Sequence, residues 1–273
     1  MTGGPAYRRR LSILAHGLSQ QAIDEQNAAF WNTLCGWEMA RQAGITGAVE
    51  DDLRRFDELY IRFYPYLERY VPDDLTGKKV LEAGLGFGTL GQLLASRGAD
   101  YYGVDIAAEP VAVMRRRLAW LGLPEEHVQQ ASVLELPFAD EAFDYVYSIG
   151  CLHHTGDVQR GVDELHRVLV PGGRAVVMLY NRRSLRRLLL AVRPARRDDE
   201  ATRALYDASP SGEAAPHTDF VSRVEARRLF RRFRRVRIDV QNFDGYRFGL
   251  RRELFLSNLA RAVGLDLYIQ ADK

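Results

Sequence analysis

From Lys79 to Asn181 the chain switches back and forth between two kinds of apolar spacing, and this alternation restricts the fold more than any other feature. "KVLEAG" is a short apolar run of the strand type, and "FGTLGQLLASRG" has helical spacing closed by a glycine. "YYGVDI" and "EPVAVMRRRLAWLG" repeat the pair. "HVQQASV" is a weaker strand, "FDYVYSIG" a strongly apolar one, and "DVQRGVDELHRVLV" a helix. The turn "PGG" then leads into the strand "GRAVVMLYN". Strand–helix pairs in series predict an α/β fold built on a parallel, doubly wound sheet. The alternation stops after Asn181 and resumes with "VEARRLFRRF" (helix), "RVRIDVQNF" (strand), "RRELFLSNLARAVG" (helix) and "LDLYIQADK" (strand). No internal repeat is present.

The region before this core reads as helical. "LSILAHGL" and "DDLRRFDELYIRFYPYLERYV" space apolar residues by three and four, and Leu53, Phe56, Leu59, Tyr60, Phe63 and Leu67 share one face. The expected organisation is an N-terminal helical lid over 1–72, a core over 73–181, an insert over 182–220 and the rest of the core over 221–273. At 273 residues and 47% hydrophobic composition, the chain can bury a sizeable core. The two cysteines, Cys35 and Cys151, have no metal-ligand spacing, so neither a disulfide framework nor a metal site is expected. No apolar run has the length of a membrane span. Arg8, Arg9 and Arg10 precede an apolar stretch, but Ser12, His16 and Gly17 break it, and a cytoplasmic protein is expected. Charge is uneven. Residues 1–181 hold 17 Lys+Arg and 24 Asp+Glu (17 − 24 = −7), whereas 182–262 hold 20 Arg and 10 acids (20 − 10 = +10). That basic half is either a solvated helical surface or a face for an anionic partner.

The stretch "VLEAGLGFGTL" sits where a strand should end and a helix begin. Ligands of open parallel sheets bind beyond the carboxyl ends of the strands. Glycines allow a sharp turn and a close ligand approach, and the following helix start favours an anion. Glu82 precedes the loop and suits a cationic group while repelling a pyrophosphate. Asp105 ends the second strand, where a carboxylate can accept hydrogen bonds from both hydroxyls of a ribose. A nucleoside with a positive charge and a small anionic tail satisfies all three features, and S-adenosylmethionine is such a molecule. The dehydrogenase loop G-x-G-x-x-G does not match this spacing.

"VLEAGLGFG", "YGVDI", "LPFADEAFDYVYSIGCLHHTGD" and "ELHRVLVPGGRAVV", in that order, resemble the class I S-adenosylmethionine-dependent methyltransferases. The likeness is to the small-molecule branch grouped with the ubiquinone and menaquinone biosynthesis methyltransferases, and it covers roughly residues 78–181. It implies a Rossmann-like sheet of seven strands with the last strand antiparallel. It also implies that Gly84, Leu85, Gly86 and Gly88 hold the methionine part, Glu82 orients its ammonium, and Asp105 with Ile106 binds the ribose. Ser132, Val133 and Ile149 complete the cofactor pocket. Members of the branch often carry Gly-Asp shortly before "LPF"; here Ala131-Ser132 stands there, so the adenine contact departs from the pattern.

Methyl transfer needs placement more than proton chemistry, and a general base matters only for a protonated acceptor. His153 and His154 follow the fourth strand; in an extended segment they would point oppositely, one into the cleft. His154 is the candidate base or substrate ligand, with a structural role as the alternative. Tyr180, at the end of the fifth strand, and His217, in the insert, are candidates for the acceptor pocket, with Trp31 and Tyr64 of the lid opposite. Ser222 and Glu225 have capping-box spacing. The expected activity is methylation of oxygen, nitrogen or carbon in a small molecule of specialised metabolism, without a metal, yielding S-adenosylhomocysteine. A peptide, a lipid or quinone, or a nucleic acid held by residues 182–262 are the alternative acceptors. No nucleic-acid module is recognisable, and a monomer or homodimer is expected.

Overall fold

The computed structural model describes residues 19–33, 37–45, 47–191, 199–243 and 260–273. Seven strands form one sheet: β1 (Lys79–Ala83), β2 (Asp100–Asp105), β3 (Val128–Gln130), β4 (Phe143–Ile149), β5 (Leu169–Tyr180), β6 (Arg235–Gln241) and β7 (Asp266–Asp272). Their order is β3-β2-β1-β4-β5-β7-β6. The first five run parallel, and β7 lies antiparallel between β5 and β6. This is the α/β sheet that the alternation predicts, with the reversed last strand that the family resemblance implies. Helices α1 (Gln20–Trp31), α2 (Trp37–Gln42) and α3 (Glu50–Phe63) precede the sheet; α4 (Thr89–Ser96), α5 (Ala108–Trp120) and α6 (Val158–Val168) connect its parallel strands. After β5 come α7 (Leu185–Ala191), α8 (Asp199–Ala204) and α9 (Arg223–Leu229), then the short α10 (Ala260–Val263) before β7. The expected helix "LSILAHGL", Cys35 and most of "RRELFLSNLARAVG" lie outside the described residues.

The central strands are apolar on both faces because helices cover both. Side chains alternate between two cores with the period of a strand. Leu81, Val146, Val177 and Ile269 face α6 and α9, where Val162, Leu165 and Leu229 meet them. Their neighbours Val80, Tyr147, Val176 and Tyr268 face α4 and α5, with Leu94, Met114 and Leu118. A third core joins the N-terminal helices to the glycine stretch. Leu53 and Phe56 of α3 pack with Phe87 and Val113, and the rings of Phe56 and Phe87 stack at 4.1 Å between centroids. The predicted apolar face of α3 thus buries its first two members.

Polar groups also attach the N-terminal helices. Arg117 of α5, 3% exposed, donates from both terminal nitrogens to the Asp57 carboxylate, each at 2.8 Å. Its Nε donates to the carbonyl of Phe87 at 2.8 Å, and Thr89 donates to the same Asp57 at 2.7 Å. Asn32, at the end of α1, accepts from the first free N–H groups of α5, those of Ala108 and Glu109. The carboxylate of Asp57 therefore holds the loop, α4 and α5 to the lid at one point, in the paired geometry that suits a guanidinium.

Residues 182–220 leave and rejoin the sheet at one place. Asn181 and Val221 form a bridge, with Arg182 N donating to Val221 O and Val221 N to Tyr180 O. Three of the described arginines here brace the segment through hydrogen bonds. Arg182 binds Phe220 O and Glu225, Arg186 binds Leu205 O and lies over the Tyr206 ring, and Arg203 binds Ala215 O. Ser222 and Glu225 form the predicted capping box of α9.

Asp57→Asn should lower the unfolding free energy by about 3 kcal/mol, read as a lower urea midpoint, because it leaves a buried guanidinium without its carboxylate. A loss under about 0.5 kcal/mol would mean that the clasp adds no stability.

Candidate functional site

β1 stops at Ala83 because the next turns demand left-handed backbone. Gly84, Gly86 and Gly88 have φ of 90°, 52° and 76°, a region that side chains with a Cβ rarely enter. Space is a second constraint at Gly84, where a Cβ would stand 2.5 Å from the Cβ of Cys151. The loop therefore lies directly against the segment that follows β4. Gly88 turns the other way. It precedes α4, and a Cβ there would meet Arg117 and Met114 at 2.9 Å. Gly88 is thus not part of the cleft wall, and its expected place against a ligand is corrected to a place in the turn.

A cleft of about 1050 Å³, counting its open mouth, runs along the carboxyl ends of β2, β1 and β4. Of the expected cofactor residues, Glu82, Gly84, Leu85, Gly86, Asp105, Ile106, Ser132, Val133 and Ile149 line it. Asp105 also builds it. One carboxylate oxygen accepts from Leu85 N at 2.7 Å and the other from Ala107 N at 2.9 Å. One side chain thereby fixes the glycine loop of β1 to the end of β2. Burial raises the Asp105 pKa, and the backbone N–H groups oppose that rise. Beside it Glu82 is fully enclosed and accepts from Tyr101 Oη at 2.6 Å. Burial, the largest cause, pushes its carboxyl up to about 8; Tyr101 pulls it down and Asp105 adds to the rise.

The β4 end of the cleft is polar in a different way. Leu152–His154 is a 3-10 turn rather than the expected extended segment. The two histidines consequently do not point apart; their rings lie 4.2 Å from each other. His154 lines the cleft, with the Trp31 ring 4.7 Å away. Its Nδ1 is 2.7 Å from the carbonyl of His217, which can only accept, so Nδ1 carries the hydrogen and Nε2 is the basic nitrogen of the neutral ring. Nε2 lies 3.7 Å from Asp207 Oδ2. Burial lowers the His154 pKa, with Asp207 opposing, and burial raises that of Asp207. Tyr180 Oη donates to the Asp207 carboxylate at 2.9 Å. His153 is fully buried, and burial holds its pKa well below the usual histidine range.

Three expected acceptor residues are placed otherwise. Tyr180 and His217 stand behind His154 rather than on the cleft wall. Tyr180 binds Asp207, and His217 offers its carbonyl to His154 while its Nε2 lies 3.0 Å from Asp219, out of hydrogen-bonding alignment. Tyr64 is displaced by a helical turn: Tyr60 lines the cleft, and Tyr64 packs behind it at 4.7 Å between ring centroids. Trp31 lies on the wall as expected. The sequence reading missed Asp207, the Asp57–Arg117 clasp, and Asp24 and Asn27 of α1. Asp207 falls where the strand–helix pattern has stopped, and Asp24 and Asn27 lie on a helix whose cleft face is not apolar.

Residues 81–177 match the family model described as a methyltransferase domain. A demethylmenaquinone methyltransferase of Thermus thermophilus is 39% identical over 105 residues, 38% of this chain and 47% of that protein. A ubiquinone biosynthesis O-methyltransferase of Photorhabdus laumondii is 34% identical over 106 residues, covering 39% and 44%. The chain spans less than half the length of these curated relatives. Among solved structures, geranyl diphosphate C-methyltransferase of Streptomyces coelicolor shares the fold with a TM-score of 0.57 at 16% identity, over 92% of this chain and 97% of that one. The likeness over residues 81–177 is thus to methyltransferase domains, and the solved structures share the fold of the whole sheet.

The raised Glu82 pKa has a consequence for stability. Between its ordinary value of 4.5 and its folded value of about 8, the folded, ligand-free protein holds this proton more tightly than the unfolded chain does. The stabilising contribution is therefore complete at low pH and declines as pH rises to about 8. Glu82→Gln should flatten that decline in denaturant titrations across this range, by at most about 5 kcal/mol at its alkaline end. An unchanged pH profile would show that Glu82 titrates normally.

Proposed function

We propose that this chain transfers a methyl group from S-adenosylmethionine to a small-molecule acceptor and releases S-adenosylhomocysteine. One observation supports this reading above the rest. A buried carboxyl, a left-handed glycine loop and a second buried carboxyl converge at the ends of adjacent parallel strands. The residues present fit the cofactor. Glu82 is too buried to ionise readily alone, and the cofactor's ammonium is the kind of cation that would favour its carboxylate. Gly84 and Gly86, with Leu85 between them, offer close backbone to the methionine part; Asp105 and Ile106 stand where a ribose would lie, with Ser132, Val133 and Ile149 along the remaining wall. Backbone N–H groups of Leu85, Gly86, Ile106 and Ala107 surround the Asp105 carboxylate and favour its charged, accepting form.

The cofactor supplies a methyl group on a sulfonium. The chain does the rest by placement and by handling a proton. Trp31, Phe56 and Tyr60 cover the cleft and exclude water. His154 is neutral at neutral pH because burial lowers its pKa, so Nε2 can take a proton from an acceptor. Asp207, 3.7 Å from Nε2, then stabilises the imidazolium, and Tyr180 holds Asp207 in place. Arg186 and Arg203 are spent on hydrogen bonds within the segment and are not free for an anionic partner. A second reading, a quinone precursor like those named for the curated relatives, draws support from α7, which exposes Leu188 (50%) and Leu189 (37%).

The test uses methyl-labelled S-adenosylmethionine and an extract of the source cells separated into metabolite, lipid, peptide and nucleic-acid fractions. Label should enter the metabolite fraction and be absent with Asp105→Ala. That variant should bind S-adenosylhomocysteine at least tenfold more weakly by calorimetry, as charged acceptors are worth about 1.5–3 kcal/mol each. Label in nucleic acid would overturn the reading.

A further inference from the structure

Helix α1 presents a face to the cleft that packing alone does not explain. Gln20, Asp24, Asn27 and Trp31 are spaced by four, three and four residues and so share one side. A helix that merely covers a core turns apolar residues inward. Here Ile23 is the one apolar side chain of α1 that is fully buried, beside the equally buried Asn27. Two of the polar groups are spent on attachment: Gln20 Nε2 donates to Thr155 O and Asn27 Nδ2 to His154 O, both at 2.8 Å. Two acceptors remain. Asp24 lines the cleft and accepts only the short hop from Gln20 Nε2 at 2.8 Å among the described residues. Asn27 Oδ1 belongs to a side chain 4% exposed on the cleft wall, and has no hydrogen-bond partner among the described residues. A buried acceptor without a donor costs free energy until something supplies an N–H or O–H.

Charge points the same way. Asp24, Glu82 and Asp105 line the cleft, and no lysine or arginine does among the described residues. Glu82 and Asp105 stand at the ends of β1 and β2, the half assigned above to the cofactor. Asp24 and Asn27 are attached through α1 to Thr155 and His154, beyond β4 on the opposite side of β1. This second pair of acceptors is therefore placed for the other reactant. Trp31 and Tyr60 add two aromatic rings to the wall, and such rings attract a cation through their faces.

We infer that the β4 end of the cleft binds an amine-bearing acceptor, with Asp24 and Asn27 Oδ1 receiving its N–H groups and His154 its departing proton. The reaction is then N-methylation. The inference rests on the methyl-transfer reading above and narrows its acceptor to a nitrogen compound. The amine arrives as an ammonium and gives one N–H proton to His154 Nε2. The freed nitrogen lone pair forms the new N–C bond, the S–C bond breaks with its electron pair left on sulfur, and the positive charge passes from sulfur to the methylated nitrogen. The remaining N–H groups stay with Asp24. A carboxylate or phosphate at this position would face Asp24 with no counter-charge, and an alcohol would leave the carboxylate without a cation.

The experiment saturates the full chain with S-adenosylhomocysteine and measures binding of three amines by calorimetry: 2-phenylethylamine, tryptamine and hexylamine. Each is compared with the alcohol and the carboxylate of the same skeleton. Turnover is followed in parallel with S-adenosylmethionine and mass spectrometry of the products. At least one amine should bind about tenfold or more tightly than its alcohol and carboxylate, as one charge-assisted hydrogen bond would provide, and should gain one methyl group on nitrogen. Asp24→Asn should abolish that preference and raise KM for the amine about tenfold, with S-adenosylhomocysteine affinity within twofold of the parent. Asp24→Glu should restore part of the preference. Alcohols or carboxylates binding as well as amines would overturn the inference and leave the methyl-transfer reading standing. Equal losses of S-adenosylhomocysteine and amine affinity in Asp24→Asn would overturn it too, by assigning Asp24 to the cofactor. Failure of the parent protein to bind S-adenosylhomocysteine would overturn both.

Discussion

Asp105 ties the carboxyl ends of two adjacent parallel strands together, and the cleft takes its shape from that tie. Parallel strands have no hairpin to hold their ends, so the loops that follow them must be fastened by other means. The carboxylate receives Leu85 N on one oxygen and Ala107 N on the other. The glycine loop is thereby held open toward the cleft on one side and pressed against Cys151 on the other, with no room for a Cβ at Gly84. The same side chain also lines the cleft. That double duty explains why an acid is buried at this position at all: the backbone N–H groups offset its desolvation before any ligand arrives.

The charged groups around the cleft form two sets with opposite electrostatic problems. Glu82 has a hydroxyl partner and only the Coulombic pull of Arg117 against the loss of water, so burial leaves it reluctant to ionise. His154 and Asp207 face each other, and burial pushes the histidine toward neutrality and the acid toward protonation. Each set is an incomplete charge balance, and each is completed by one kind of reactant. A cation suits the first; a proton leaving an acceptor suits the second. The sheet order separates them, because β1 carries Glu82 and its neighbour β4 leads into His154. The separation of the two sets thus begins with strand pairing, and the 3-10 turn after β4 and the segment that carries Asp207 complete it.

How much of this was legible in the sequence followed from periodicity. The strand–helix order and the α9 capping box could be read because two-residue and three-to-four-residue spacings are local signals, whereas the reversed last strand was implied only by the likeness to a known family. One side of the cleft wall could be read for the same reason: Glu82, Gly84, Gly86 and Asp105 sit at strand ends that the pattern locates. Tyr64 was misplaced by one turn, since a helix wheel does not say which edge of an aromatic face meets the sheet; Tyr60 does. Tyr180 and His217 were drawn to the cleft by their position after β5, yet Asp207, in a segment without periodicity, takes the hydroxyl of Tyr180 and turns both residues into supports. The Asp57–Arg117 contact joins residues 60 apart in sequence, and nothing local marks either partner.

That contact also decides how α1–α3 attach to the sheet. A lid held only by apolar packing could slide, because hydrophobic contact has no direction. Here the attachment is directional at both ends. Asp57 grips Arg117 and Thr89 under the glycine loop, and α1 is pinned by Gln20 and Asn27 to backbone carbonyls beside His154. Both sets of pins touch segments that line the cleft. Parting α1–α3 from the sheet would break the contacts that fasten the glycine loop on one side and the 3-10 turn of the histidines on the other, so the same helices brace both ends of the cleft.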